Sequence, residues 1–233
     1  MNCEEIIKKL KAQGRVKNIA GMERFGIHPK DEKFGVSMPD IRKIAKGILK
    51  EIKKDNVKRH NLALELWQTK IHEARILAGI VDLSEMLSEQ QMDKWVCDFD
   101  SWDLCDQVCM NLFCQNKIAY KKVFDWVKRE EEFVRRAGFA LIACLAVHDK
   151  KAKDKDFVAF FPLIKKYSTD ERNFVRKAVN WALRQIGKRN LNLNKKAIVF
   201  AKEIQAIDNK TAKWIANDAL RELNSQTIQR GLR

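Results

Sequence analysis

The feature that most constrains the fold is a repeat of 41 residues in the second half of the chain. The segment FVRRAGFAL begins at Phe133, and the similar segment FVRKAVNWAL begins at Phe174. The segment IANDAL begins a further 41 residues on, at Ile215, and keeps an alanine of both earlier copies in register. A unit of this length cannot cover its own apolar face, so neighbouring units must stack on each other.

Apolar residues recur at spacings of three and four almost throughout, and only three prolines interrupt them. This pattern predicts an all-α protein. A period near 40 with two helices per unit is typical of HEAT and armadillo arrays. We therefore predict a right-handed α-solenoid of HEAT-like helical repeats with a concave basic face, built as a single domain over residues 1–233.

The spacing predicts twelve helices, over residues 3–13, 39–54, 57–69, 72–87, 89–98, 101–115, 118–129, 131–147, 155–167, 170–188, 194–206 and 210–224. Residues typical of helix starts support the second, the tenth and the last, namely Ser37 and Pro39, Thr169 and Asp170, and Asp208 and Asn209. The long non-periodic stretch 20–36 is predicted as a loop or as a pair of short helices.

The chain is strongly basic, with 46 Lys and Arg against 31 Asp and Glu and a net charge of +15. Such an excess usually marks a polyanion partner, most often nucleic acid, although lysine-rich solvated helix faces would also account for it. No apolar run is long enough to cross a membrane, and the first residues lack the apolar core of a signal peptide. We expect a cytoplasmic, nucleoid-associated protein without a membrane contact.

Six cysteines are spread over the chain, and Cys105 and Cys109 share one helix face. These two could hold a metal ion, but no C-x-x-C pair and no histidine stands near them. Small buried thiols in a helical core are the better interpretation. We expect neither a metal nor a cofactor.

One predicted helix carries a stripe of cations around an aromatic residue. Lys177, Trp181, Arg184 and Lys188 lie at i, i+4, i+7 and i+11, and the repeat places Arg136 at the position of Lys177. Cations interleaved with an aromatic side chain suit a phosphate backbone and an exposed base. Alternatively, Trp181 packs in the core and the cations are merely solvated.

A second helix places a tryptophan and a carboxylate on one face. Trp102 and Asp106 are four residues apart in SWDLCDQV, and the buried face opposite them is predicted to consist of Leu104, Val108, Leu112 and Cys105. Asp103 lies about 60° from Asp106 around the helix and is expected at the edge of the face, where its exchange should do little. By spacing alone, Trp102 could equally belong to the core and Asp106 could cap or pair with a neighbouring helix.

At these residues the chain resembles the bacterial and archaeal DNA alkylation-repair glycosylases built from HEAT-like repeats. SWDLCDQV is similar to the catalytic segment of that family, with its tryptophan at Trp102 and its essential aspartate at Asp106. FVRRAGF is similar to the segment with a DNA-contacting arginine, which maps onto Arg136. FVRKAVNWALR is similar to the segment with a second active-site tryptophan and a backbone-contacting arginine, which map onto Trp181 and Arg184.

The N-terminal part extends the resemblance and also departs from it. KFGVSMPDIRKIAK matches the family's glycine, proline and arginine at Gly35, Pro39 and Arg42. Some members have two consecutive tryptophans before the acidic segment, where this chain has Ser101. The nearest counterpart of an N-terminal aromatic residue that meets the DNA is Phe25. Some relatives of this fold lack the aspartate and are non-catalytic, whereas this chain retains it.

The resemblance implies a glycosylase that excises N3- and N7-alkylated purines from duplex DNA without flipping the base. A capped repeat array that works on DNA is most simply a monomer. Asp106 would stabilise the oxocarbenium sugar and position water, between the aromatic faces of Trp102 and Trp181. Arg136 would hold the phosphate near the lesion. Non-specific phosphate contacts would come from Lys177, Arg184 and Lys188. Two alternatives stay open: a non-catalytic HEAT-type scaffold, and a protein that binds damaged DNA without excising a base.

Overall fold

The computed structural model describes residues 1–52 and 55–232, which divide into two compact units, Met1–Asn116 and Lys117–Arg233. Every regular element among the described residues is a helix, so the prediction of an all-α protein is confirmed. None of the described helices is long and apolar enough to cross a membrane.

The described residues of the first unit form seven α-helices and one 3-10 helix, at Phe113–Gln115. The α-helices are α1 Cys3–Gln13, α2 Val16–Arg24, α3 Met38–Ile52, α4 Asn56–Gln68, α5 His72–Val81, α6 Glu89–Cys97 and α7 Trp102–Asn111. The predicted helix 39–54 is α3, and its last two predicted residues lie outside the described part of the chain.

The second unit is described as eight further α-helices. They are α8 Ala119–Trp126, α9 Glu132–His148, α10 Asp154–Val158, α11 Phe161–Lys166, α12 Asn173–Gly187, α13 Leu191–Gln205, α14 Lys210–Leu223 and α15 Gln226–Gly231. The three copies of the repeat are α9, α12 and α14, which pack in that order.

Short polar side chains determine where many helices begin. In seven of the described helices the residue before the first turn accepts a hydrogen bond from the backbone N–H three residues later, which satisfies one otherwise unpaired donor. These capping residues are Asn2, Ser37, Asp55, Ser88, Asn190, Asn209 and Ser225. Asn209 thus confirms the predicted start of the last repeat helix.

Several predicted helix boundaries differ from the structure, and two of these differences have identifiable physical reasons. The helix predicted from 170 begins at Asn173, because the carboxylate of Asp170 accepts bonds from the backbone N–H of Arg172 and from the Arg135 guanidinium instead of capping. The helix predicted over 155–167 is interrupted between α10 and α11. Pro162 stands in the first turn of α11, where its missing N–H costs no helical hydrogen bond.

The non-periodic stretch 20–36 contains the end of α2 and an irregular segment anchored by a buried carboxylate. Glu73, at 1% exposure, accepts hydrogen bonds from the backbone N–H groups of Phe34, Gly35 and Val36, at 2.7–3.1 Å. Gly35 has φ +74°, and a Cβ there would lie 2.5 Å from the carbonyl oxygen of Arg15. The glycine is therefore required by both backbone conformation and space.

An arginine near the start of a helix supports each unit in the same way. Arg75 of α5 donates through Nε to the carbonyl of Trp67, and Arg135 of α9 donates through Nε to the carbonyl of Val127, eight residues earlier in both cases. Each guanidinium also binds a carboxylate, from Asp31 or Asp170 respectively. These buried cations are structural ties between helices and are not presented to a polyanion.

Candidate active site and nucleic-acid interface

Helix α7 presents one partly exposed face and one buried face. Trp102 and Asp106 are both partly exposed and share the first face. The predicted buried face is confirmed, since Leu104, Cys105, Val108 and Leu112 are all at most 1% exposed. The apolar contacts of α7 thus orient the tryptophan and the carboxylate away from the core of the first unit.

The side chain of Trp102 is held by the segment that follows α2. Its indole Nε1 donates a hydrogen bond of 3.1 Å to the carbonyl oxygen of Phe25. The Phe25 ring is 66% exposed, with the Arg24 guanidinium 5.3 Å from its centroid. The structure therefore brings together two of the residues predicted from sequence, through a backbone contact that no sequence pattern indicates.

The other acids of this stretch have internal partners. Asp98 accepts a hydrogen bond of 2.7 Å from the indole of Trp67. Asp100 accepts one of 2.7 Å from the backbone N–H of Lys30. These carboxylates tie the neighbouring segments to the start of α7. Asp106 lies on the partly exposed face together with Trp102.

Asp103, at the edge of this face, forms an ion pair with the buried side chain of His72. Its Oδ2 lies 2.9 Å from His72 Nε2, with the side chains 19% and 1% exposed. Burial by itself would lower the pKa of His72, but the hydrogen bond and charge of Asp103 outweigh it and raise that pKa. Burial likewise opposes ionisation of Asp103, and the bond to His72 reverses this and lowers the Asp103 pKa. The pair joins the first turns of α5 and α7.

In the second unit, Arg136 lies in the contact between α9 and α12. It is 5% exposed, and its Nη1 donates a hydrogen bond of 2.7 Å to the carbonyl oxygen of Phe174. The rings of Phe133 and Phe174 pack with centroids 5.4 Å apart. The arginine predicted to bind phosphate therefore also connects two successive copies of the repeat.

The two ends of the stripe predicted on α12 differ in their exposure and in their ion pairs. Lys177 is exposed and Trp181 is partly exposed, so Trp181 is not a core residue. Arg184 and Lys188 instead form ion pairs with Glu222 of α14, with Lys188 Nζ 2.7 Å from the carboxylate. In the 41-residue register Glu222 occupies the position of Trp181, so α14 presents acid where α12 presents an aromatic ring. The end of the stripe that is available to a polyanion is therefore the one with Lys177 and Trp181.

The net charge is distributed unequally between the two units. The first unit has 19 Lys and Arg against 18 Asp and Glu, whereas the second has 27 against 13. The positive charge noted in the sequence therefore belongs almost entirely to residues 117–233. Such a charge attracts phosphates over a distance limited by salt screening.

Comparison with known proteins agrees with these features. A model of the DNA alkylation repair enzyme family matches residues 6–223, which is nearly the whole chain. The chain belongs to this family.

The fold of this family member also matches a solved structure. That structure is described as a new family of proteins related to the HEAT-like repeat DNA glycosylases with affinity for branched DNA structures. The TM-score is 0.74 with 21% sequence identity, over 95% of each chain, which confirms the predicted HEAT-like repeat fold. Comparison with curated proteins finds no match.

Sequence reasoning missed the residues that support the site of this repair-family chain. His72 and Glu73 open α5 and bind, respectively, α7 and the segment 34–36. Their only signal in the sequence is their position as polar residues in the first turn of a mostly apolar helix. That signal does not name their partners, which lie more than 30 residues away in each case.

Proposed function

We propose that this protein is a DNA glycosylase that hydrolyses the N-glycosidic bond of N3- or N7-alkylated purines in duplex DNA. The observation that supports the proposal is that Trp102 and Asp106 share the partly exposed face of α7, in a chain of the DNA alkylation repair enzyme family. The apolar face opposite this pair fixes the direction in which it points.

The chemistry of an alkylated purine suits one carboxylate and an aromatic face. A purine alkylated at N3 or N7 is already cationic and leaves without protonation by an acid. The sugar develops oxocarbenium character, which the negative charge of Asp106 stabilises, and the same carboxylate can orient and deprotonate the attacking water. The indole face of Trp102 stabilises a nearby cation by about 0.5–2 kcal/mol when water is excluded.

The hydrogen bond from Trp102 to Phe25 supports this role for the indole. It fixes the ring through its N–H and leaves the π face available to a cation. In the second unit, Lys177 is an exposed candidate for a phosphate contact, and Trp181 is a partly exposed candidate for a second aromatic contact.

The decisive test is the variant Asp106→Asn in single-turnover excision of methylated purines from duplex DNA. Asparagine keeps the shape but lacks the charge and cannot accept a proton. The loss of about 3–4 kcal/mol of transition-state stabilisation lowers the rate by roughly 10²–10³. Duplex binding, measured in parallel, should hold or improve, because a negative charge near phosphates has been removed.

Asp125→Asn is the matched control, because Asp125 is an exposed acid on α8. It should excise at the wild-type rate. Wild-type excision by Asp106→Asn would rule out catalysis through this carboxylate. An Asp106→Asn protein that fails to fold would show instead that Asp106 is structural.

The second candidate is a DNA-binding protein without glycosylase activity. It is favoured by the structural relative described as having affinity for branched DNA, and by the excess of 14 positive charges in residues 117–233. Base release from methylated duplex by the wild-type protein separates the two candidates. Salt-sensitive binding of duplex and branched DNA with no release would support the second.

A further inference from the structure

The second unit contains an exposed tryptophan outside the sites described above. Three of the six tryptophans are core residues at most 2% exposed, and Trp102 and Trp181 are partly exposed. Trp214, on the first turns of α14, is 39% exposed. Tryptophan side chains with one apolar side and one exposed side are enriched at binding surfaces.

The repeat itself does not require an aromatic residue at this position. In the 41-residue register, Trp214 corresponds to Asn173 of α12 and to Glu132 of α9. Both of those helices pack against their neighbours with a polar residue there. The tryptophan is therefore specific to α14 and is not part of the stacking pattern.

An arginine from the neighbouring copy lies against the ring. The guanidinium carbon of Arg176 is 5.1 Å from the Trp214 ring centroid, and its Nη2 donates a hydrogen bond of 3.2 Å to Asn173. Its Nε is buried and meets no hydrogen-bond partner among the described residues. The guanidinium thus supports the indole without being neutralised by an acid.

The cations around this ring differ from those farther along α12. Lys177 and Lys210 are exposed, and together with Arg176 they form no ion pair with a described carboxylate. Arg184 and Lys188, by contrast, are both neutralised by Glu222. Arg176, which lies against the Trp214 ring, is thus an uncompensated cation, and Lys210 lies one helical turn before Trp214 on α14.

We propose that Trp214 and Arg176, with Lys177 and Lys210, form a binding site for single-stranded DNA in which an unpaired base stacks on the indole. Every base has a π face, whereas a duplex keeps its bases stacked on each other and offers only phosphates to the same cations. The proposal rests on the proposed function only in taking DNA as the partner, and it does not depend on excision.

The test compares two DNAs of the same sequence, a labelled single-stranded 12-mer and its duplex, in binding to the full-length protein. Trp214→Ala should weaken single-strand binding by about 5- to 100-fold, which corresponds to the loss of one base–aromatic stack. Duplex binding should change less than twofold. Trp214→Phe retains a ring and should recover most of the single-strand affinity.

Val199→Ala is the matched control, since Val199 is a 60% exposed apolar residue on α13 of the same unit, and it should leave both affinities unchanged. Unchanged single-strand binding by Trp214→Ala, or equal losses on the two DNAs, would overturn the proposal. The proposal would also be overturned if Trp214→Ala weakened the binding of a labelled acidic peptide and left single-strand binding intact. Excision is measured separately, so a protein without glycosylase activity leaves this test interpretable.

Discussion

Asp103 and Asp106 lie one turn apart on α7, and Asp103 connects this helix to α5. Asp103 is paired with the buried imidazole of His72. We expect Asp103→Asn to lower the free energy of unfolding by about 2–3 kcal/mol, because it leaves a buried imidazole without its charged partner. Chemical denaturation measures this, with the exposed Asp125→Asn as a control that should change stability by less than about 0.5 kcal/mol.

A stable Asp103→Asn protein would mean that the pair contributes little to the fold and that His72 finds another partner. Loss of excision without loss of stability would instead assign Asp103 a part in the chemistry. The two measurements together therefore distinguish a residue that positions α7 from one that acts on substrate.

At the scale of helices, the tie between α5 and α7 should respond to pH. The His72 pKa is raised in the folded protein, so the charged pair stabilises fully below the ordinary histidine value of about 6.5 and loses this contribution as pH rises through the folded pKa. In acid, the limit is set by Asp103, whose pKa is lowered from its ordinary value in the folded protein. The stabilisation by the charged pair is therefore lost as pH falls through the folded pKa of Asp103.

His72→Gln tests this dependence. We expect the difference in unfolding free energy between wild type and His72→Gln to be largest in mildly acidic solution and to shrink towards alkaline pH. Urea unfolding at a series of pH values measures it. A difference that stays constant across this range would show that the bond to Asp103 is not charge-dependent.

The same two helices approach closely at Gly79. A Cβ at this position of α5 would lie 2.9 Å from Val108 Cγ2 and 3.3 Å from Val108 Cα, so the backbone of α7 has to shift. We expect Gly79→Ala to destabilise the protein by about 1–2 kcal/mol, since overpacking outweighs the gain in helix propensity. It should also slow excision, because α7 carries Trp102 and Asp106.

Gly21→Ala provides the control for helix propensity alone. A Cβ at Gly21 on α2 would meet nothing within 4 Å, so this variant should be neutral or slightly stabilising. Thermal unfolding compares the two alanine variants. Equal stabilities of the Gly79→Ala and Gly21→Ala proteins would show that α5 and α7 can move apart without a loss of stability.

At the scale of the whole molecule, the unequal charge of the two units predicts where salt dependence of DNA binding arises. Removing one phosphate-contacting cation should lower the slope of log K against log salt by about 0.9. We expect this decrease in slope for Lys177→Gln in the second unit. Lys8→Gln, an exposed lysine of α1 in the first unit, should leave the slope unchanged. Equal slopes for both variants and wild type would exclude Lys177 from the interface.

The sequence by itself determined the class of fold and the face of each repeat helix. Apolar spacing and the 41-residue repeat predicted the helices that contain Phe133 and Phe174, and the rings of these two residues pack together. Helical periodicity predicted the buried face of α7, formed by Leu104, Cys105, Val108 and Leu112, and placed Trp102 and Asp106 together on the other face. These features depend on local geometry, which the order of residues encodes directly.

Tertiary structure alone decided which polar groups are partners. Asp103 was indistinguishable in sequence from a surface acid, and only the packing of α5 against α7 brings it to His72. Arg184 looked like an available cation until α14 supplied Glu222 from 38 residues away. The energy of a charged group depends on its burial and on its nearest neighbours, and neither is a property of local sequence.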